Sequence, residues 1–273
     1  SGPYFDFVTS ELSGRNRAAR RPLDGAEKRR SYEPHRTDAI SNLLESRGIK
    51  SKSVVAAVSG RAVIVKRIMM NKLSPEGAQQ AVYWEAEQHV PYDINDVSLD
   101  FEILGPAPKH PKQMKVLLVP AKKDKIADYT GVIAQAGRTP VVGDVDAFAL
   151  QNAYETNYGA DPGAVVVLMN AGASAININI LPDNQSLFTR DISMGGNAYT
   201  EAVQKELNLT FEAAEQAKKG ETVNGITFDD VRPVLHAVTE NVLLEIQKTF
   251  DFFKATAASD HIDRIVLSGG ASR

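Results

Sequence analysis

Val165-Val166-Val167-Leu168-Met169-Asn170-Ala171-Gly172-Ala173-Ser174-Ala175-Ile176-Asn177-Ile178-Asn179-Ile180-Leu181 reads as two strands, Val165 to Met169 and Ala175 to Leu181, joined by a tight turn of small residues. Small side chains let a main chain approach a ligand closely and turn its N–H groups inward, so such a turn can wrap a phosphate. An ordinary glycine hairpin with no ligand fits the same letters. Leu187 to Ile192 can extend this sheet. Two further glycine-bearing turns follow strands in the same half. Ser193-Met194-Gly195-Gly196 opens a helix, whose first amides can meet an anion. Ser268-Gly269-Gly270 follows a short apolar strand, Ile262 to Leu267, predicted to be buried, and its paired glycines let a base or ribose lie against the backbone.

Between these turns lie helical segments Asn197 to Leu207, Phe211 to Lys218 and a long one from Asp229 to Phe253. The last places Val231, Val234, Leu235, Val238, Val242, Ile246, Phe250 and Phe253 on one apolar stripe.

Working back toward the N-terminus, the Gly159 to Gly163 linker marks the expected boundary between a first domain, 34–160, and a second, 161–273. In the first, Asp38 to Arg47 has helical spacing and Gly48 stops it. Val54 to Val58 and Ala62 to Met69 are β-branched runs that predict a hairpin around Ser59-Gly60. Ser74, Pro75 and Glu76 supply an N-cap, an N1 proline and a first-turn acid for a helix running to about His89, which Pro91 stops. Val97 to Ile103 alternates as a half-buried strand, and Met114 to Val119 is a near-continuous apolar one. Residues 53–120 therefore read as an inserted subdomain of hairpin, helix and hairpin. A helix carrying Ile126, Tyr129 and Ile133 follows, then strand Pro140 to Val145 and helix Ala147 to Tyr158.

The 273 residues carry 31 basic and 34 acidic side chains, 43% hydrophobic residues and no cysteine. Disulfide scaffolds, thiolate zinc sites, iron–sulfur clusters and a cysteine nucleophile are excluded. A formal net charge of −3 gives no global drive toward nucleic acid or anionic lipid. No apolar run approaches the roughly 20 residues that span a bilayer. The five histidines form no zinc-binding spacing. Residues 1–33 read as a separate arm, either disordered or expression-derived, in which seven basic residues between Arg15 and Arg30 face only Asp24 and Glu27. A solvated arm and a contact with an acidic partner or lipid headgroups both fit it.

The three turns in this order resemble the actin, Hsp70 and sugar-kinase ATPase superfamily. Other stretches narrow the match: Lys52-Ser53-Val54-Val55 through Val65-Lys66-Arg67, Trp84-Glu85-Ala86-Glu87-Gln88-His89-Val90-Pro91-Tyr92 and Val119-Pro120-Ala121-Lys122-Lys123. Further ones are Gly143-Asp144-Val145-Asp146-Ala147-Phe148-Ala149-Leu150, Ser193-Met194-Gly195-Gly196-Asn197 and Ala213-Ala214-Glu215-Gln216-Ala217-Lys218. Through them the chain is similar, within that superfamily, to the type IV pilus assembly protein PilM family, related to the cell-division protein FtsA. The resemblance runs from Thr37 to Arg273.

The resemblance implies an α/β actin-like (ribonuclease H-like) two-domain fold with an inserted small α+β subdomain. It implies ATP or ADP contacts, with Mg²⁺ if nucleotide is bound. Asn170, Gly172, Ala173 and Ser174 would face phosphate beside Gly195 and Gly196; Glu215 and Lys218 would bracket ribose and base; Gly269 and Gly270 would close the adenosine side. Asp146, or its neighbour Asp144, would stand near the metal and attacking water. From spacing alone Glu215 and Lys218 are an ordinary i,i+3 ion pair. Against the superfamily pattern, no Asp-x-Gly loop appears among residues 1–50, Asn170 stands where an aspartate is usual, and the chain stops at Arg273 before the pattern is complete. The fold is thus expected to be incomplete at both ends, and hydrolysis is not expected.

The implied role is a cytoplasmic scaffold at the inner-membrane face of the pilus machine. It would bind the N-terminal cytoplasmic tail of PilN, with the pilus motor ATPases and other PilM copies as further partners and no nucleic acid. The alternatives are a polymerising actin-like ATPase and the cytoplasmic domain of a GspL-like type II secretion protein.

Overall fold

The computed structural model describes residues 33–58, 60, 63–107, 110–256 and 261–272. The basic stretch from Arg15 to Arg30 and most of the Ser59 turn lie outside the described residues. The chain divides into two compact units, Ser1–Ala149 and Leu150–Arg273.

The first unit opens with α1 (Glu33–Ser46) and β1 (Ser53–Val58). β1 does not form the expected hairpin. It pairs in parallel with β5 (Thr139–Val145), Ala57 opposite Asp144. A parallel pair requires a long crossover, and the intervening residues supply one. The chain leaving β1 is diverted: Val63 bridges Ala121, and the Ile64 N–H donates to the Pro120 carbonyl at 3.0 Å. β2 (Lys66–Asn71) then joins a three-stranded sheet of order β2-β4-β3, with β3 at Val97–Ala107 and β4 at His110–Lys122. All its pairings are antiparallel.

Helix α2 (Pro75–His89) starts where the Ser74 side chain accepts from the Gly77 N–H at 3.2 Å, a cap worth about 1 kcal/mol. Its Ala78, Val82 and Ala86 are fully buried against Ile68, Met70, Met114, Val116 and Leu118. The opposite face of β4 presents Leu117, Val119 and Ala121 to Ile126 of α3 (Lys123–Gln135), to Val145 and to Phe148. Cover on both faces explains why β4 is a continuous apolar run rather than an alternating one. α4 (Asp146–Tyr158) follows β5 directly, and the division between units falls within it.

The second unit is a four-stranded sheet of order β8-β7-β6-β9, built from β6 (Val165–Ala171), β7 (Ile176–Pro182), β8 (Phe188–Ile192) and β9 (Arg264–Ser268). Val165, Val167 and Met169 of β6 and Ile176, Ile178 and Ile180 of β7 pack beneath α5 (Gly196–Leu207) and α7 (Phe228–Thr256). On the other face, Val166, Leu168 and Leu181 meet Leu150 and Tyr154. α6 (Phe211–Lys218) joins α5 and α7 through Val203, Ala214, Ala217 and Val231. β9 was expected to be buried, but it is an edge strand whose Ile265 and Leu267 are 48% and 59% exposed. Arg264 of β9 donates to the Tyr154 hydroxyl at 3.2 Å and to the Asp161 carboxylate at 3.0 Å. Among the described residues, no helix is long and apolar enough to cross a membrane.

Candidate functional site

Antiparallel pairing of β6 with β7 leaves the turn Gly172 to Ala175 at the end of the sheet, closed by the Gly172 N–H donating to the Ala175 carbonyl at 2.9 Å. The start of α5 is pressed against this turn. A Cβ built on Gly195 would lie 2.4 Å from the Gly172 oxygen and 2.7 Å from the Ala173 oxygen. The backbone there is extended, so contact, not conformation, demands glycine. The Gly196 N–H donates to the Gly172 carbonyl at 3.0 Å and the Asn197 N–H to the Ala173 carbonyl at 2.7 Å. These α5 amides, which the sequence offered to an anion, are committed to the turn. The turn's own Ala173 and Ser174 are exposed, and their N–H groups make no hydrogen bond among the described residues.

The third turn closes on the first because β9 runs parallel to β6 with Ser268 opposite Asn170. Gly269 has φ +94°, and a Cβ on it would meet the Ala171 oxygen at 2.3 Å and Asn170 Oδ1 at 2.6 Å. Both the left-handed backbone and the contact select glycine. Gly270 faces open space. Gly196 is the meeting point: a Cβ there would lie 3.2 Å from Ala271 Cβ and 3.8 Å from Lys218 Nζ.

Helix α6, capped by Thr210 accepting from the Ala213 N–H at 3.2 Å, delivers Glu215 and Lys218 to the same place. Lys218 Nζ donates to the Gly196 carbonyl at 3.2 Å, to Thr200 Oγ1 at 2.9 Å and to Glu215 Oε2 at 2.5 Å. Thr200 Oγ1 is also 2.5 Å from Glu215 Oε2. Burial pushes the Glu215 carboxyl up, but hydrogen bonds from Lys218, Thr200 and Lys219 prevail and hold it at about 2. This is a half-buried network tying α6 to α5, rather than a solvated surface pair.

The structure thus brings Asn170, Gly172, Ala173, Ser174, Gly195, Gly196, Glu215, Lys218, Gly269 and Gly270 into one cluster of the second unit. Asp146 belongs to the first unit, where it opens α4. Its neighbour Asp144 is 2% exposed and accepts from the Val145 N–H at 2.7 Å. Sequence reasoning missed Thr200, buried beneath Lys218, and Asn177, which accepts from Asn170 Nδ2 at 3.2 Å. Among the described residues no three histidine, aspartate or glutamate side chains cluster to hold a metal ion.

The fold, a two-unit α/β chain with an inserted subdomain and three converging glycine turns, is actin-like. More narrowly, the chain belongs to the type IV pilus assembly protein PilM family, which it matches over residues 27–273. It is similar to the solved PilM–PilN type IV pilus biogenesis complex, with 30% identity and a TM-score of 0.72 over 87% of this chain and 68% of that one. Partial overlays extend to the ethanolamine utilization protein EutJ from Carboxydothermus hydrogenoformans, at 20% identity, TM-score 0.38, and 52% and 47% of the two chains. They extend also to MreB 5 of Spiroplasma citri bound to AMPPNP, at 14% identity, TM-score 0.41, and 55% and 54% coverage.

Proposed function

We propose that the chain is a scaffold of the type IV pilus assembly platform, acting on the cytoplasmic face of the inner membrane and receiving the N-terminal tail of a PilN-type membrane protein. The similarity to the PilM–PilN complex across 87% of the chain carries this reading. The first unit offers a suitable receiver: β2 and β3 are both edges of their sheet, and Met69, Leu73, Ile103 and Leu104 stand exposed on or beside them. An extended tail adds to such an edge through main-chain hydrogen bonds.

The glycine cluster of the second unit is read as a site for ATP or ADP. The residues fit the group: the Ala173 and Ser174 N–H groups make no hydrogen bond among the described residues, and Gly270 leaves room against the backbone. Phosphate would meet the Ala173 and Ser174 amides, with the Glu215 and Lys218 network and the Gly269 and Gly270 turn on the nucleoside side. Asn170, a neutral amide, offers no carboxylate to a Mg²⁺ that would accompany the phosphates. Nucleotide therefore serves as a conformational ligand that biases partner affinity rather than as fuel.

A synthetic PilN-type tail peptide titrated into the folded chain should bind saturably with micromolar or tighter affinity. Absence of saturable binding overturns the scaffold reading. Sustained phosphate release from ATP overturns the assignment of nucleotide as a conformational ligand.

A further inference from the structure

Four side chains line up across the four strands of the second unit's sheet. The register sets Ser268 of β9 opposite Asn170 of β6, Asn170 opposite Asn177 of β7, and Asn177 opposite Asp191 of β8. Three of them form a chain: Asn170 Nδ2 donates to Asn177 Oδ1 at 3.2 Å, and Asn177 Nδ2 donates to Asp191 Oδ1 at 2.7 Å. Asn177 is buried at 8% exposure, so its amide depends on these neighbours.

The chemistry of the row gives it a direction. An ionised carboxylate only accepts, so Asp191 draws the Asn177 NH₂ group toward β8. The Asn177 carbonyl oxygen is left facing β6, where it can only accept. It draws the Asn170 NH₂ toward itself, and Asn170 Oδ1 is turned away, against Gly269. The charged end of the row thereby sets the polarity of its far end, and charge-assisted bonds are the stronger kind.

We propose that Asp191 is a positioning residue for the glycine cluster: through Asn177 it fixes the Asn170 amide with its oxygen toward the Gly269 turn, keeping the row's one negative charge on β8 and away from the turn that would receive the phosphates of a nucleoside diphosphate. The proposal rests on the nucleotide reading given above. Its physical core stands apart from that reading, because the row tolerates a carboxylate at one end only. An aspartate at 170 would face the Asn177 oxygen while Asp191 holds the Asn177 NH₂. Moving the carboxylate from 191 to 170 lets Asn177 reverse and restores both hydrogen bonds of its amide.

The test is a four-member cycle on the full chain: the parent, Asn170→Asp, Asp191→Asn and the swap Asn170→Asp/Asp191→Asn, each assayed for thermal stability and for binding of ADP without divalent cation. Asn170→Asp should lower Tm by about 3 °C or more, and adding Asp191→Asn should recover most of the loss. A swap no more stable than Asn170→Asp alone overturns the relay. The swapped row keeps both bonds of the Asn177 amide yet carries a negative charge beside the phosphate turn, so its ADP affinity should fall about tenfold below the parent's. Equal affinity in the two overturns the positioning role and leaves the row purely structural. If the parent binds no ADP, the nucleotide reading and the role at the cleft fail together, while the stability cycle still judges the relay.

Discussion

Lys218 Nζ lies 3.2 Å from the Gly196 carbonyl oxygen, a bond that fastens the end of α6 to the first residue of α5. The Asn197 N–H of the same peptide plane is held by the Ala173 carbonyl at 2.7 Å, so one peptide plane links the Gly172 to Ala175 turn to the Glu215 network. Lys218→Met keeps the aliphatic stem and removes the ammonium, leaving a half-buried Glu215 with Thr200 and Lys219 as its remaining donors. The expected loss is about 2 kcal/mol of unfolding free energy, read by chemical denaturation. A loss within about 0.3 kcal/mol would reduce the network to a surface ion pair.

Acid should expose the same network. Glu215 is held at about 2 in the folded chain against an ordinary value of 4.5. A depressed carboxyl stabilises the fold above its unfolded pKa and loses that contribution as pH falls through the folded one. The Glu215 contribution should therefore be intact above about pH 5 and fade toward about pH 2. Denaturant midpoints of the parent and of Glu215→Gln should differ at neutral pH and converge at the acid end, and a gap that stays constant with pH would assign the difference to packing.

Two glycines separate steric demand from conformational freedom. Gly195→Ala places a methyl 2.4 Å from the Gly172 oxygen, so the turn must open and the Gly196 to Gly172 bond must stretch. The expected cost is about 2–3 kcal/mol, together with weakened ADP binding. Gly131→Ala, in α3 with nothing within 4 Å of the new methyl, should stabilise by about 0.5–1 kcal/mol. Thermal melts of the pair give the comparison, and similar destabilisation in both would remove the close-packing argument.

The sequence disclosed what is local and left hidden what depends on distant partners. Gly195 and Gly269 were visible because the close approach of the Gly172 and Ala171 carbonyls leaves only glycine workable at those two positions. The length of α7 followed from its stripe, and the start of α2 from the Ser74 cap. β1 was misassigned as half of a hairpin because a β-branched run encodes an extended chain but not its neighbour, and its partner β5 begins some eighty residues later. β9 was misjudged because an apolar strand looks the same at a sheet's edge as at its centre. Thr200, Asn177 and Asp191 are common residue types without motif spacing, and they gain meaning only through the helix packing that sets Thr200 beside Lys218 and the strand register that sets Asn177 between Asn170 and Asp191.

Asp144 gives the first unit a pH dependence opposite in sign to that of Glu215. It sits in β5 opposite Ala57, 2% exposed, and burial raises its carboxyl to about 6 from an ordinary 3.8, with the Val145 N–H pulling down and the Asp146 charge pushing up. Between those values the folded chain holds a proton that the unfolded chain has released. Its contribution is present in full below about pH 3.8 and is lost as pH rises through about 6. Asp144→Asn keeps an oxygen to accept from the Val145 N–H and carries no charge at any pH. The variant should match the parent near about pH 3.5 and exceed it by roughly 2 kcal/mol near about pH 7.5. Urea unfolding of both proteins at the two pH values measures the difference, and a variant less stable than the parent at neutral pH would show that the Asp144 charge is paired rather than merely buried.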